Sequence, residues 1–189
     1  MSKSLKALIA VSAITAAMLM AFISLRILGL LRPFSVPSRA MAPTISAGDN
    51  VMMEGFTYLG RRPQRGDIAV FKTNGIPELR APNSIWLKRI IGVPGDRIQL
   101  SDRKLFVNDR EVFIENKAGP IQYHRPGNSP QPFEVERTVL TVPARQYFVL
   151  GDNSMNSYDS RFWGCVPAEN ILGRINFCYW PPKNFGPVK

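Results

Sequence analysis

The stretch Trp86-Leu87-Lys88-Arg89-Ile90-Ile91-Gly92-Val93 decides how this chain folds. It is rich in aromatic and β-branched residues, and the turn signal Pro94-Gly95-Asp96 follows it, so it reads as a strand. Alternate side chains of a strand share a face, so Trp86, Lys88 and Ile90 point one way and Leu87, Arg89 and Ile91 the other. Each face is apolar and each carries one cation. At least one of the two cations must therefore face an apolar side. One reading is an edge strand whose lysine snorkels to water. The other is a desolvated lysine. Burial favours the neutral amine, lowers its pKa and lets it serve as a general base. Such a base needs a hydroxyl nucleophile beside it.

Working outward, short apolar runs between Pro, Gly and Asx turns recur along the chain. Strands are expected at Asn50–Tyr58, Asp67–Lys72, Arg97–Leu100, Lys104–Val107, Val135–Val142, Gln146–Leu150 and Ile171–Tyr179. Ser101-Asp102-Arg103 reads as a hairpin connection, with a further turn near Asn108-Asp109. Pro167 to Ile171 reads as one helical turn with Pro at an early position. No segment after residue 33 carries a long 3.6-residue period. Residues 115–134 hold Pro120, Pro126, Pro130 and Pro132 and read as an inserted loop or extended hairpin. The expected architecture is mainly β, a mixed barrel or sandwich behind one N-terminal helix.

That helix is the clearest bulk feature. Ala7 to Leu25 runs nineteen residues without a charge, close to the ~20 needed to cross a bilayer. It is apolar on every face, unlike a soluble helix. A cleaved signal peptide is the competing reading, but its apolar region would be shorter, ~7–15 residues. Lys3 and Lys6 precede the run and Arg26 and Arg32 follow it, so flanking charge leaves the orientation open. The organisation expected is an anchor over residues 1–32 and a β domain over 33–189. The net charge is +10, but the basic residues are scattered and no run marks a nucleic-acid arm, so no nucleic-acid partner is expected. Two cysteines and a single histidine, His124, match no common zinc spacing, and neither a metal nor another cofactor is expected. Cys165 and Cys178 read either as buried thiols or as a disulfide.

Four segments hold the candidate chemistry: Val36-Pro37-Ser38-Arg39-Ala40-Met41-Ala42-Pro43-Thr44-Ile45, Arg65-Gly66-Asp67-Ile68-Ala69-Val70-Phe71, Leu87 to Asp96, and Gly151-Asp152-Asn153-Ser154-Met155-Asn156-Ser157-Tyr158-Asp159-Ser160-Arg161. Singly, each could be an ordinary turn or a turn into a strand. Together, in this order and behind an anchor, they resemble the type I signal peptidases, also called leader peptidases, which are Ser/Lys endopeptidases. The resemblance runs from the anchor to Trp180 and leaves out 115–134. It implies Lys88 as general base, Ser38 as an oxyanion-hole hydroxyl and Ser157 as the hydroxyl that orients Lys88. It implies Asp159 and Arg161 as a supporting pair and Gly151, Asp152 and Asn153 as the loop that brings Ser157 in. Val36 and Met41 are implied at the pocket for small substrate side chains.

The same resemblance implies signal peptides of exported preproteins as substrates, cut after small-x-small sites. The peptide would add as a strand. The protein would be a single-pass protein of the cytoplasmic membrane, its N-terminus cytoplasmic and its catalytic domain on the outer face. The implied partners are these peptides and the lipid bilayer, with the oligomeric state open. Phe56, Tyr58, Trp86 and Trp163 could face the membrane, though buried core is the default for each. One departure stands out. The nucleophile position of the family, a serine, is Ala40 here. An alanine can form no acyl-enzyme, so the chain as written is expected to be inactive. Ser38 is the nearest alternative hydroxyl, but it would then leave the oxyanion hole. A non-catalytic signal-peptide-binding relative and a specialised maturation peptidase for one secreted or pilin-like substrate are the alternatives.

Overall fold

The computed structural model describes residues 2–76, 79, 81, 83–116, 118–123 and 139–188. Helix α1 spans Lys3–Ile27, capped by the Ser2 side chain, which accepts from the Leu5 N–H, and none of its residues is buried. It exceeds the uncharged run at both ends, because Lys3, Lys6 and Arg26 are good helix formers. Its length and composition suffice to cross a membrane.

The rest is mainly β. The strands are β1 Leu31–Ser35, β2 Asn50–Glu54, β3 Ile68–Lys72, β4 Ile85–Gly92, β5 Arg97–Ser101, β6 Lys104–Val107, β7 Arg110–Glu111, β8 Glu115–Asn116, β9 Gly119–Pro120, β10 Leu140–Thr141, β11 Gln146–Leu150, β12 Val166–Pro167, β13 Ile171–Trp180 and β14 Gly186–Pro187. An eight-stranded sheet runs in the order β1-β2-β13-β3-β4-β11-β12, with β14 also paired to β13. Strands β10, β5, β6 and β7 form a second sheet, and β8 and β9 a hairpin. The helices after α1, α2 at Thr57–Gly60 and α3 at Ser160–Trp163, are single turns.

The expected turns are real. Asp102 and Arg103 both have positive φ between the paired Ser101 and Lys104, and Asn108 and Asp109 repeat this between Val107 and Arg110. Two successive positive-φ residues give the hairpin turn whose twist matches the strands it joins. Pro167–Ile171 contains the expected single turn, a 3₁₀ turn at Ala168–Asn170. Three differences have physical reasons. The strand expected over Asn50–Tyr58 stops at Glu54, because the chain turns after one further ladder bond, from Gly55 to the Leu30 carbonyl, and α2 begins at Thr57. Strand β1 was not anticipated because Pro33 lies in it. An edge strand tolerates proline, since the missing N–H faces away from its neighbour. Of the strand expected at Val135–Val142, residues 135–138 lie outside the described residues and Leu140–Thr141 is β10. Within 115–134, the described part forms the β8–β9 hairpin, and 124–134 lie outside the description.

Strand β4 sits inside the large sheet, between β3 and β11. Both its edges are therefore paired, and side chains cover both its faces as well. Trp86 and Ile90 pack with Phe71, Val149 and Trp163 on one face. On the other, Leu87 packs with Val36, Met41 and Val70, and Ile91 with Ile98 and Phe148. Lys88 and Arg89 are both buried, at 6% and 3% exposure, which excludes the snorkelling edge-strand reading.

Candidate active site

The two neighbouring cations of β4 have opposite fates. The Arg89 guanidinium is matched to the Asp152 carboxylate through two hydrogen bonds, 2.8 Å from Nε and 2.6 Å from Nη2, and it also donates to the Gly66 carbonyl. Such bidentate pairing is the arrangement that lets a buried charge persist. Lys88 has no such match. Among the described residues its amine makes no hydrogen bond and no ion pair, and Nζ lies 5.4 Å from the centre of the Trp86 ring. The nearby carboxylates are already engaged, Asp152 by Arg89 and Asp159 by Arg161. Burial therefore dominates and pushes the Lys88 pKa down from its ordinary value. Asp159 pulls it back up, Arg161 pushes it further down, and Asp152 raises it.

The segment 36–45 lies against this lysine. It leaves β1 in an extended path, with the Val36 N–H donating to the Asp49 carbonyl and the Ile45 N–H to the Met41 carbonyl. Val36, Met41 and Ile45 are buried in the core, which fixes the backbone between them. The Ala40 N–H donates to Ser38 Oγ at 3.1 Å. The Thr44 hydroxyl donates to Asp152, so one carboxylate ties β4 to the segment 36–45.

The loop after β11 completes the arrangement. The Asn153 N–H donates to the Ala40 carbonyl at 3.0 Å, and its Nδ2 to the Arg39 carbonyl. Gly151 donates its N–H to Asp159 Oδ2. A Cβ at position 151 would strike the Ser157 side chain and come within 2.6 Å of the Ala40 carbonyl. Only glycine lets these segments approach so closely. Asp159 is fully buried and takes two hydrogen bonds from the Arg161 side chain, while Arg161 also donates to Ser154 Oγ and the Ser154 carbonyl. Ser157 is buried, and its Oγ has no hydrogen-bond partner among the described residues.

Val36, Ser38, Ala40, Met41, Lys88 and Ser157 thus line one cleft of about 640 Å³, with Ile85, Trp86, Leu87, Met155, Tyr158 and Phe162 as its apolar walls. Asp152, Asp159 and Arg161 lie in the buried pairs behind it, and Gly151 and Asn153 in the loop that joins these pairs to the segment 36–45. No Lys88–Ser157 hydrogen bond is present. Sequence reasoning missed Arg89 and Thr44 as partners of Asp152. The alternation in β4 already placed Arg89 opposite Lys88, but its counter-ion lies 63 residues away. Of the aromatics considered as membrane-facing, Trp163 is core, Trp86 and Tyr58 are half-buried, and Phe56 is exposed. No disulfide joins Cys165 and Cys178.

The cleft thus sets a buried lysine beside Ser38, Ala40 and Ser157 in one groove. The family model described as signal peptidase, peptidase S26, matches residues 7–180, and the chain belongs to that family. Thylakoidal processing peptidase 1 of Arabidopsis thaliana is 40% identical over 82% of this chain and 43% of its own length. The probable signal peptidase I-2 of Synechocystis is 36% identical over 80% of this chain and 64% of its own length. The signal peptidase I of Leptolyngbya laminosa is 35% identical over 80% of this chain and 70% of its own. The chain thus spans less than two thirds of the first two of these relatives. A solved signal peptidase I from Enterococcus faecalis is 31% identical, with 60% of this chain and 97% of that one aligned at a TM-score of 0.43.

Proposed function

We propose that this chain is the framework of a membrane-anchored endopeptidase of the signal peptidase I type, cutting preproteins after small-x-small sites by acyl-enzyme hydrolysis. The observation that carries the reading is Lys88, buried without a counter-ion in the cleft that also holds position 40. A lysine so placed gives up its proton more readily than an ordinary lysine, and once neutral it can take a proton from a hydroxyl at position 40. Ser157 Oγ, with no partner of its own, is available to orient the amine. The Ala40 N–H and the Ser38 hydroxyl are the oxyanion donors. In the present geometry they bond each other, so Ser38 must turn to release the N–H. Asp159–Arg161 and the Gly151–Asn153 loop support this geometry, and Val36 and Met41 shape the floor that admits small side chains. No cofactor takes part.

Alanine at position 40 leaves the site without its attacking atom, so the chain as written binds but does not cut. Loss of a serine nucleophile costs on the order of 10⁶ in turnover in a comparable hydrolase. The one helix among the described residues that is long and apolar enough to cross a bilayer, α1, supports single-pass anchoring, and the orientation, N-terminus cytoplasmic and cleft on the outer face, is the one the family resemblance implies. The test is restoration. Ala40→Ser should cut a preprotein after an Ala-x-Ala sequence, and adding Lys88→Ala should abolish that cleavage. A restored serine that cuts nothing would instead favour a non-catalytic peptide-binding protein, the second reading that Ala40 itself favours.

A further inference from the structure

A groove of about 740 Å³, separate from the cleft at Lys88, is lined by residues 58–63 together with Pro94, Ala144 and Arg145. Three arginines line it, and they are held differently. Arg61 is matched to the Asp67 carboxylate through two hydrogen bonds, 2.8 Å from Nη1 and 3.0 Å from Nη2. Arg145 reaches Glu169 only at 4.0 Å, with both side chains mostly exposed, a contact of little strength. Arg62 is exposed, and its side chain has no partner among the described residues. Arg145 also holds a left-handed backbone, φ 59°, on a turn whose carbonyl accepts from the Ala168 N–H. Glycine or asparagine adopts that conformation more readily, so the turn itself does not ask for arginine.

The groove lies close to the end of the anchor. Helix α1 ends at Ile27, and the Leu30 carbonyl accepts from the Gly55 N–H at 2.7 Å. The groove wall begins at Tyr58, just beyond that bond. Phe56 and Leu59, 43% and 75% exposed, precede the arginines. Exposed apolar side chains followed by arginines make a segment suited to a membrane surface. The geometry points to this groove as a site for the phosphate of an anionic phospholipid headgroup. The inference rests on the anchoring reading of α1. The guanidinium groups of Arg62 and Arg145 can each present paired N–H donors to a phosphodiester, while Leu59 meets the acyl chains. A soluble anion would use the same arginines but gain nothing from Leu59, nor from the anchor, which keeps lipid at high local concentration.

The test uses the full chain in a non-ionic detergent, titrated with phosphatidylglycerol or phosphatidylcholine, with the lipid retained counted by native mass spectrometry. Phosphatidylglycerol should bind about twentyfold more tightly, and Arg62→Gln and Arg145→Gln should each weaken it about fivefold, the factor one arginine supplies at an anionic surface. Arg62→Lys keeps the charge and should keep most of the preference. Arg103→Gln combined with Arg110→Gln removes two exposed charges at other turns and should leave the preference intact. Equal affinity for the two lipids, an equal loss in the Arg103 and Arg110 variant, or displacement of phosphatidylglycerol by millimolar inorganic phosphate overturns the inference. Vesicle flotation isolates the reading beneath it. The chain and every variant should float with pure phosphatidylcholine vesicles through α1, and a chain that does not float overturns the anchoring reading and this site with it.

Discussion

Lys88 is the residue at which folding and chemistry conflict. Its amine is held below its ordinary value of 10.5 by burial, so the folded chain binds that proton less tightly than the unfolded one. Over the pH range between the two values the unfolded state carries more protons, so stability rises with pH there and levels off above about 10.5. At neutral pH, then, the unfolded chain's tighter hold on that proton opposes folding. Lys88→Met should raise the urea midpoint at pH 7, and the advantage should shrink as the pH approaches 10.5. A gap independent of pH would mean that packing, not ionisation, sets the difference. The same lowered value predicts that cleavage by the Ala40→Ser protein rises with pH along a limb centred below 10.5, measured with a short peptide substrate.

At the scale of elements, the loop from Gly151 to Arg161 does more than deliver Ser157. It holds segment 36–45 through Asn153 and Thr44 and β4 through Arg89. Asp152→Ala should cost about 3–5 kcal/mol, because it strands a buried guanidinium, and the loss would be read from guanidinium chloride unfolding. Replacing Arg89 with Met together with Asp152 with Leu should recover much of it, since both buried charges then go. Gly151→Ala should cost about 1–3 kcal/mol, the range for overfilling a packed site, and should also reduce cleavage in the Ala40→Ser protein, because the added methyl group displaces Ser157 or the Ala40 carbonyl. The sequence made the members of this site legible, since each lies in a short local pattern with a distinctive residue. Their mutual ties were not legible. Arg89–Asp152 and Thr44–Asp152 join residues far apart in sequence, and nothing local marks which carboxylate meets which cation. The strands between turns were equally readable. The stop of β2 at Glu54 was not, because α2 starts behind Phe56 with no side-chain cap to mark it, and neither was the hydrogen bond from Gly55 to the Leu30 carbonyl, which carries the β1–β2 ladder back to the end of the anchor segment.

For the whole molecule, that bond decides where the anchor can be removed. The Leu30 carbonyl accepts from Gly55, and β1 begins at Leu31. Deleting residues 1–28 should abolish association with lipid vesicles and leave the melting temperature of the β portion unchanged. Deleting residues 1–35 should lower it by about 2–4 °C or more, the shift expected per kcal/mol at this size, because β2 loses its outer neighbour. The single apolar helix and the eight-stranded sheet were both foreseeable in kind. The order of the strands was not, because β13, late in the chain, inserts between β2 and β3. One further consequence concerns the two thiols. Cys178 is buried, and burial pushes the Cys165 thiol up to about 12. Thiolates, not thiols, react with maleimides and methanethiosulfonates, so the unsubstituted chain should stay unlabelled by either reagent at neutral pH. A single cysteine placed at the exposed Leu59 would then carry a spin label or fluorophore alone, and quenching by lipid-borne probes would report whether that position meets the bilayer.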